Sequence, residues 1–96
     1  MKARLKNIDP LKVSRNGLIE YRRLYFELEN GQWAVTDVVP TYNNYQRWSP
    51  IIAAGIGVEI EGVELIGKDK INADSPVKIY QSTLFEKNEL LIESLK

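Results

Sequence analysis

The chain predicts a mainly β fold: a small, partly open barrel of five to six strands, with a short helical turn mid-chain and a C-terminal helix. Two Asn-Gly dipeptides, Asn16-Gly17 and Asn30-Gly31, each separate β-patterned runs. Asn-Gly is the strongest short hairpin signal, because both central residues of a type I′ turn take positive φ. The run between them extends over about 11 residues, longer than an ordinary strand, so it has to coil or bend and suits a closing sheet. A parity switch supplies the third observation. Val58 and Ile60 share one parity and Val63 and Leu65 the other, so a bulge or bend at Gly62 keeps both pairs on the core side.

The first strand is expected around Leu11 to Arg15, leading through the first turn into Leu18 to Glu29. In that long run Leu18, Leu24, Phe26 and Leu28 fall on one face. Ile19, Tyr21, Arg23, Tyr25 and Glu27 fall on the other, so one face is apolar and the other aromatic and charged. After the second turn, Gln32 to Val39 places Trp33, Val35, Asp37 and Val39 in alternation with Gln32, Ala34, Thr36 and Val38. Pro40 ends this strand by removing a ladder donor.

Between Pro40 and Pro50 lie Tyr42, Tyr45 and Trp48, interleaved with Asn43, Asn44, Gln46 and Arg47. This segment reads as a connecting loop. Pro50 to Gly55 reads as one helical turn, with proline near its start and glycine as its stop. Ile56 to Ile66 is the bent strand, Gly67 to Lys70 a turn, Asn72 to Pro76 an irregular connection and Val77 to Tyr80 the last strand. Thr83 followed by Glu86 is a capping-box pattern, and Leu84, Lys87, Leu91 and Leu95 with Ile92 give an amphipathic stripe, so a helix is expected over about 83–95.

With 96 residues, 44% of them hydrophobic, the chain supports one domain and one small core. The barrel is expected to cover about residues 3–80. Charge balances at 13 basic against 13 acidic residues, which leaves no whole-molecule field for strong non-specific duplex binding. The balance is uneven, however. Residues 1–48 carry a basic excess of three and residues 49–96 the matching acidic excess, so a local phosphate-binding surface survives if the fold keeps the halves on different faces. Solvated strand faces explain the same charges equally well. Cysteine and histidine are absent, which excludes disulfides, thiol chemistry, Cys/His zinc sites and imidazole bases. The opening MKARLKNIDP lacks the apolar run of a secretory signal, and no stretch approaches the ~20 apolar residues of a membrane span. A soluble, cytoplasmic protein that takes no cofactor is expected.

The strand inventory fits a partly open barrel of the OB or SH3-like kind better than an Ig-like sandwich, which needs about seven strands. Several features together resemble the small single-domain OB-fold proteins that bind single-stranded DNA, including those of phages and other mobile elements. These are the curved strand Tyr21-Arg22-Arg23-Leu24-Tyr25-Phe26, a hairpin, a connecting segment, the Gly-bearing bent strand Val58 to Leu65 and a closing strand. The resemblance covers about residues 11–80 and is one of architecture. It implies a non-catalytic binder of single-stranded nucleic acid. Family members often carry net charge or an acidic flexible tail; this chain is neutral and ends in an expected helix, so the recruiting role of such tails is not carried over.

Single-strand binding calls for aromatic platforms under the bases and Arg or Lys along the backbone. The candidate contacts are Tyr21, Arg22, Arg23, Tyr25 and Trp33 on the strands, with Tyr42, Tyr45, Arg47 and Trp48 as a loop closing over them. Against this stands ordinary burial of large rings, which would place Trp33, Phe26 and Trp48 in the core. A second class of function is a protein-interaction module, such as an inhibitor or assembly subunit of a mobile element, using the same loop against a protein groove; Tyr, Trp and Arg are enriched at such hot spots. A homodimer through an edge strand or the C-terminal helix is compatible with both. Catalysis is not expected. Glu59 and Glu61 alternate with Val58 and Ile60 and form a solvated line rather than a convergent metal site, and Gly55, Gly57 and Gly62 lack a phosphate loop's Lys-Ser/Thr ending.

Overall fold

The computed structural model describes residues 1–80. The expected helix over 83–95 lies outside them. Six strands and one helix follow in the order β1 (Ala3–Ile8), β2 (Lys12–Val13), β3 (Glu20–Leu28), β4 (Trp33–Val38), α1 (Tyr45–Ala54), β5 (Glu59–Glu61) and β6 (Lys78–Ile79). The strands make a six-stranded antiparallel sheet that does not close into a barrel.

Strand β3 organises the sheet. One edge pairs with β4, from Arg22↔Val38 to Glu27↔Trp33. Along the other edge run β1, from Ala3↔Leu28 to Ile8↔Leu24, and then β2, with Lys12↔Tyr21 and Val13↔Glu20. Pro10, which has no N–H to give a ladder, separates these two segments. The far edge of β1 takes β5, and β5 takes β6. The N-terminal strand is therefore interior to the sheet, a role its sequence did not suggest. Its alternation is broken by a bulge: the register shifts between Leu5 and Asn7, and this turns both Leu5 and Ile8 toward the core.

Both hairpins form where Asn-Gly stands, with a different turn from the one expected. No non-glycine residue has positive φ, whereas Gly17 and Gly31 do. At the second turn the Gly31 N–H donates to the Leu28 carbonyl and the Leu28 N–H to the Gln32 carbonyl. This is a three-residue loop with a left-handed glycine. Asn30 contributes its side chain instead, accepting the Gln32 N–H at 2.9 Å. The first turn spans Ser14 to Ile19, so Leu18 belongs to the turn and is exposed rather than on the strand's apolar face.

Alternation along β3 and β4 holds as expected. Leu24, Phe26 and Leu28 are buried with Ala34, Thr36 and Val38 opposite, and they form the inner face. Helix α1 covers that face through Trp48 and Ile51, both fully buried. The Trp48 ring lies tilted against Phe26 at 6.0 Å between centroids. Each such large apolar side chain contributes roughly 1.5–3 kcal/mol on burial.

Beyond β5, Gly62 takes φ +86°, and both Ile60 before it and Val63 after it are buried. The bend expected at this glycine is present. Only β5's three residues are regular strand in the run 56–66; Leu65 makes an isolated bridge to Ile71, and Lys70 a parallel bridge to Val35 of β4. The segment Asn72 to Val77 is tied down from several sides. Ser75 Oγ is fully buried, accepts the Glu64 N–H at 3.0 Å and donates to the Asn72 carbonyl at 2.6 Å. The Trp48 indole N–H donates to the Ala73 carbonyl at 2.8 Å, and Asn44 Nδ2 donates to Asp74 at 2.9 Å. Among the described residues no helix is long and apolar enough to cross a membrane.

Candidate functional site

The outer face of the sheet gathers most of the strand candidates. Tyr21, Arg23, Tyr25 and Glu27 alternate with the buried residues of β3 and point away from the core. Register then fixes their neighbours. Asp37 stands opposite Arg23, Val35 opposite Tyr25, and Trp33 opposite Glu27, which makes Trp33 a diagonal neighbour of Tyr25. Trp33 is 51% exposed. It is no core residue, and a large ring half in water on a sheet face is the feature most in need of a role. Lys70, bridged to Val35, extends the row across the β4 edge.

Several of the face's charges are paired with one another. Arg23 clasps Asp37 with two bonds, Nε to Oδ1 at 2.8 Å and the second nitrogen to Oδ2 at 3.1 Å. The hydrogen bond and charge of Asp37 hold the guanidinium above its ordinary range. Arg4 donates to Glu59 at 2.6 Å. Lys12 donates to Asp9 Oδ2 at 3.0 Å, and the same oxygen accepts the Tyr25 hydroxyl at 2.9 Å. Those two donors, Lys12 first and Tyr25 second, keep the Asp9 carboxyl below its usual range. Tyr25 is thus a partly exposed ring with its hydroxyl anchored. Glu61 lies 3.5 Å from Lys78; with Glu59 on Arg4, the two glutamates stand on the outer side of Ile60 as a paired line.

The basic and acidic halves do not occupy opposite faces. Strand β1 lies directly against β5, and Arg4 of one half meets Glu59 of the other. Cations without an ion pair among the described residues include Arg15 and Arg22 toward the β2–β3 hairpin and Lys68 and Lys70 beside β4. Arg22 has the inward parity of β3 but sits at the strand's end, only partly covered.

The expected closing loop is not a loop. Tyr45, Arg47 and Trp48 lie in the first turns of α1, and Pro50 is inside the helix rather than at its start. Trp48 is fully buried against Phe26, on the face opposite Tyr21, Arg23 and Tyr25, so it is a core anchor and offers no stacking surface. Tyr45 packs partly against the core; Tyr42 and Arg47 are exposed. The structure therefore brings Tyr21, Arg23, Tyr25 and Trp33 together and leaves Tyr42, Tyr45, Arg47 and Trp48 with the helix. Asp9, Asp37 and Lys70 join the outer face without having been singled out in the sequence. Alternation places Asp37 on one face of the β4 run, but pairing it with Arg23 requires the register.

Comparisons with family models, with curated proteins and with solved structures find no match to this chain.

Proposed function

We propose that the protein binds single-stranded nucleic acid without strong sequence preference, on the outer face of β3 and β4. The observation that carries this is Trp33, half-exposed beside Tyr25 on a face that also holds Tyr21. Base stacking on such rings contributes roughly 1–3 kcal/mol per base and tolerates any sequence, because every base has a π face. Supporting an OB-like arrangement are the interior position of β1 between β3 and β5, the helix between β4 and β5, and the parallel bridge from β4 to Lys70. In OB folds the face of the second and third strands receives oligonucleotides. With β1 and β2 taken as one interrupted strand, those are β3 and β4 here.

The test is a titration with oligo-dT and matched duplex at two salt concentrations, followed by tryptophan emission. Trp33 is the accessible indole, so saturable quenching by oligo-dT that exceeds the response to duplex is expected. No saturable change at low salt, or equal binding of duplex, overturns the proposal. A second reading, a protein-interaction module, is favoured by the exposed aliphatic side chains Leu11, Val13, Leu18 and Ile19 around the β2–β3 hairpin. It predicts the opposite result in the same titration.

A further inference from the structure

Resting on the reading of the outer face as a single-strand site, we propose that Asp37 is a built-in competitor for phosphate at Arg23, so that the face selects its ligand by bases rather than by backbone. Arg23 stands on β3 between Tyr21 and Tyr25, two residues from each and so about 7 Å away along the strand. Arg23 is thus in line to meet a phosphate running past those rings. Yet its fork is filled: Asp37 takes two parallel bonds at 2.8 and 3.1 Å, the geometry by which a guanidinium also grips a phosphate. Both side chains of the pair are about one-third exposed, at 39% and 30%, so a bound strand reaches the pair without rearranging the core.

The same device recurs at two other cations of this face. Arg4 is held by Glu59 at 2.6 Å and Lys12 by Asp9 at 3.0 Å. A phosphate arriving at any of these has to displace a carboxylate and then sit beside it, a like-charge arrangement. Cations without an ion pair among the described residues include Lys6 at the β1 bulge, Arg15 by the hairpin, and Lys68 and Lys70 beside β4. With Arg23, Arg4 and Lys12 all occupied by carboxylates, a bound strand is gripped mainly by its bases and by few phosphates. With about two phosphates neutralised, log K falls with log salt at a slope near −1.4.

The experiment measures oligo-dT affinity against salt for the wild type and Asp37→Asn, with Glu20→Gln as a control that changes net charge equally at an exposed residue of the hairpin end. Asp37→Asn is expected to bind about three- to tenfold more tightly at low salt and to steepen the slope by about 0.7, one added phosphate contact. Adding Arg23→Gln to Asp37→Asn removes that gain. Should Asp37→Asn melt early, Asp37→Ser removes the same carboxylate and is expected to shift the slope in the same direction. An unchanged slope in a folded Asp37 variant, or an equal gain in Glu20→Gln, overturns the inference while leaving the single-strand reading in place. A wild type that does not bind oligo-dT takes both down.

Discussion

Gly62 shows how much one backbone position can decide. Its φ of +86° lies in the left-handed region, and a β-carbon there would run into the Pro76 carbonyl. Gly62→Ala is expected to cost the roughly 1–2 kcal/mol of a left-handed β-carbon, plus whatever it takes to move the Pro76 backbone. Urea denaturation reads this directly. Gly67→Ala is the comparison: Gly67 has no positive φ and open space around it, so a change within about 0.5 kcal/mol is expected. The role of Gly62 was legible in the sequence because apolar parity changes across it. The role of Trp33 was not, since a tryptophan that opens an alternating strand looks the same whether its face is covered or wet. Trp48 shows the converse. Its neighbours are polar, and only the helical turn that carries it, with Ala73 waiting as acceptor for its N–H, makes it a core residue.

At the scale of elements, the helix was the largest difference from expectation. The sequence pattern puts Pro50 near the opening of a short turn, yet it is the sixth residue of a ten-residue helix. Local propensity argued against this, because proline in a helix interior forfeits one backbone bond and crowds the preceding turn. Burial of Trp48 and Ile51 on either side of it offsets that cost. Pro50→Ala is therefore expected to raise stability by about 1–3 kcal/mol, since an N–H becomes free to donate to the Gln46 carbonyl. A thermal melt checks it, and a fall in Tm contradicts it. Strand β1 escaped notice for a related reason. Its bulge between Leu5 and Asn7 breaks the period of two on which strand recognition depends, whereas β3 and β4, which are unbulged, were legible to the face.

On the scale of the whole molecule, most aromatic side chains among the described residues lie in two sets on opposite sides of one sheet. The outer set, Tyr21, Tyr25 and Trp33, follows β3 and β4; the inner set is drawn into or beside the core by α1. Alternation alone could place the first set, but the position of the second depends on where a helix docks, which the local pattern does not encode. The division has a measurable consequence. Trp33→Ala is expected to weaken oligo-dT binding about tenfold, the equivalent of ~1.4 kcal/mol and within the range for one stacked base. Tyr42→Ala and Arg47→Ala are each expected to change it less than twofold. Larger losses from the helix variants than from Trp33→Ala would move the ligand to the other side of the sheet.

The interior position of β1 also imposes an order in time. Its ladder with β3 becomes available once about the first 28 residues exist, but its other partner is β5, at Glu59–Glu61. While the intervening chain is being made, that edge presents unpaired backbone groups of the kind that templates association between chains. Lys2, Arg4 and Lys6 alternate along this same segment. In the finished fold Lys2 lies 4.1 Å from the Tyr80 ring centroid and Arg4 holds Glu59. Before those partners have been synthesised, like charge at these three positions disfavours pairing of one nascent edge with another.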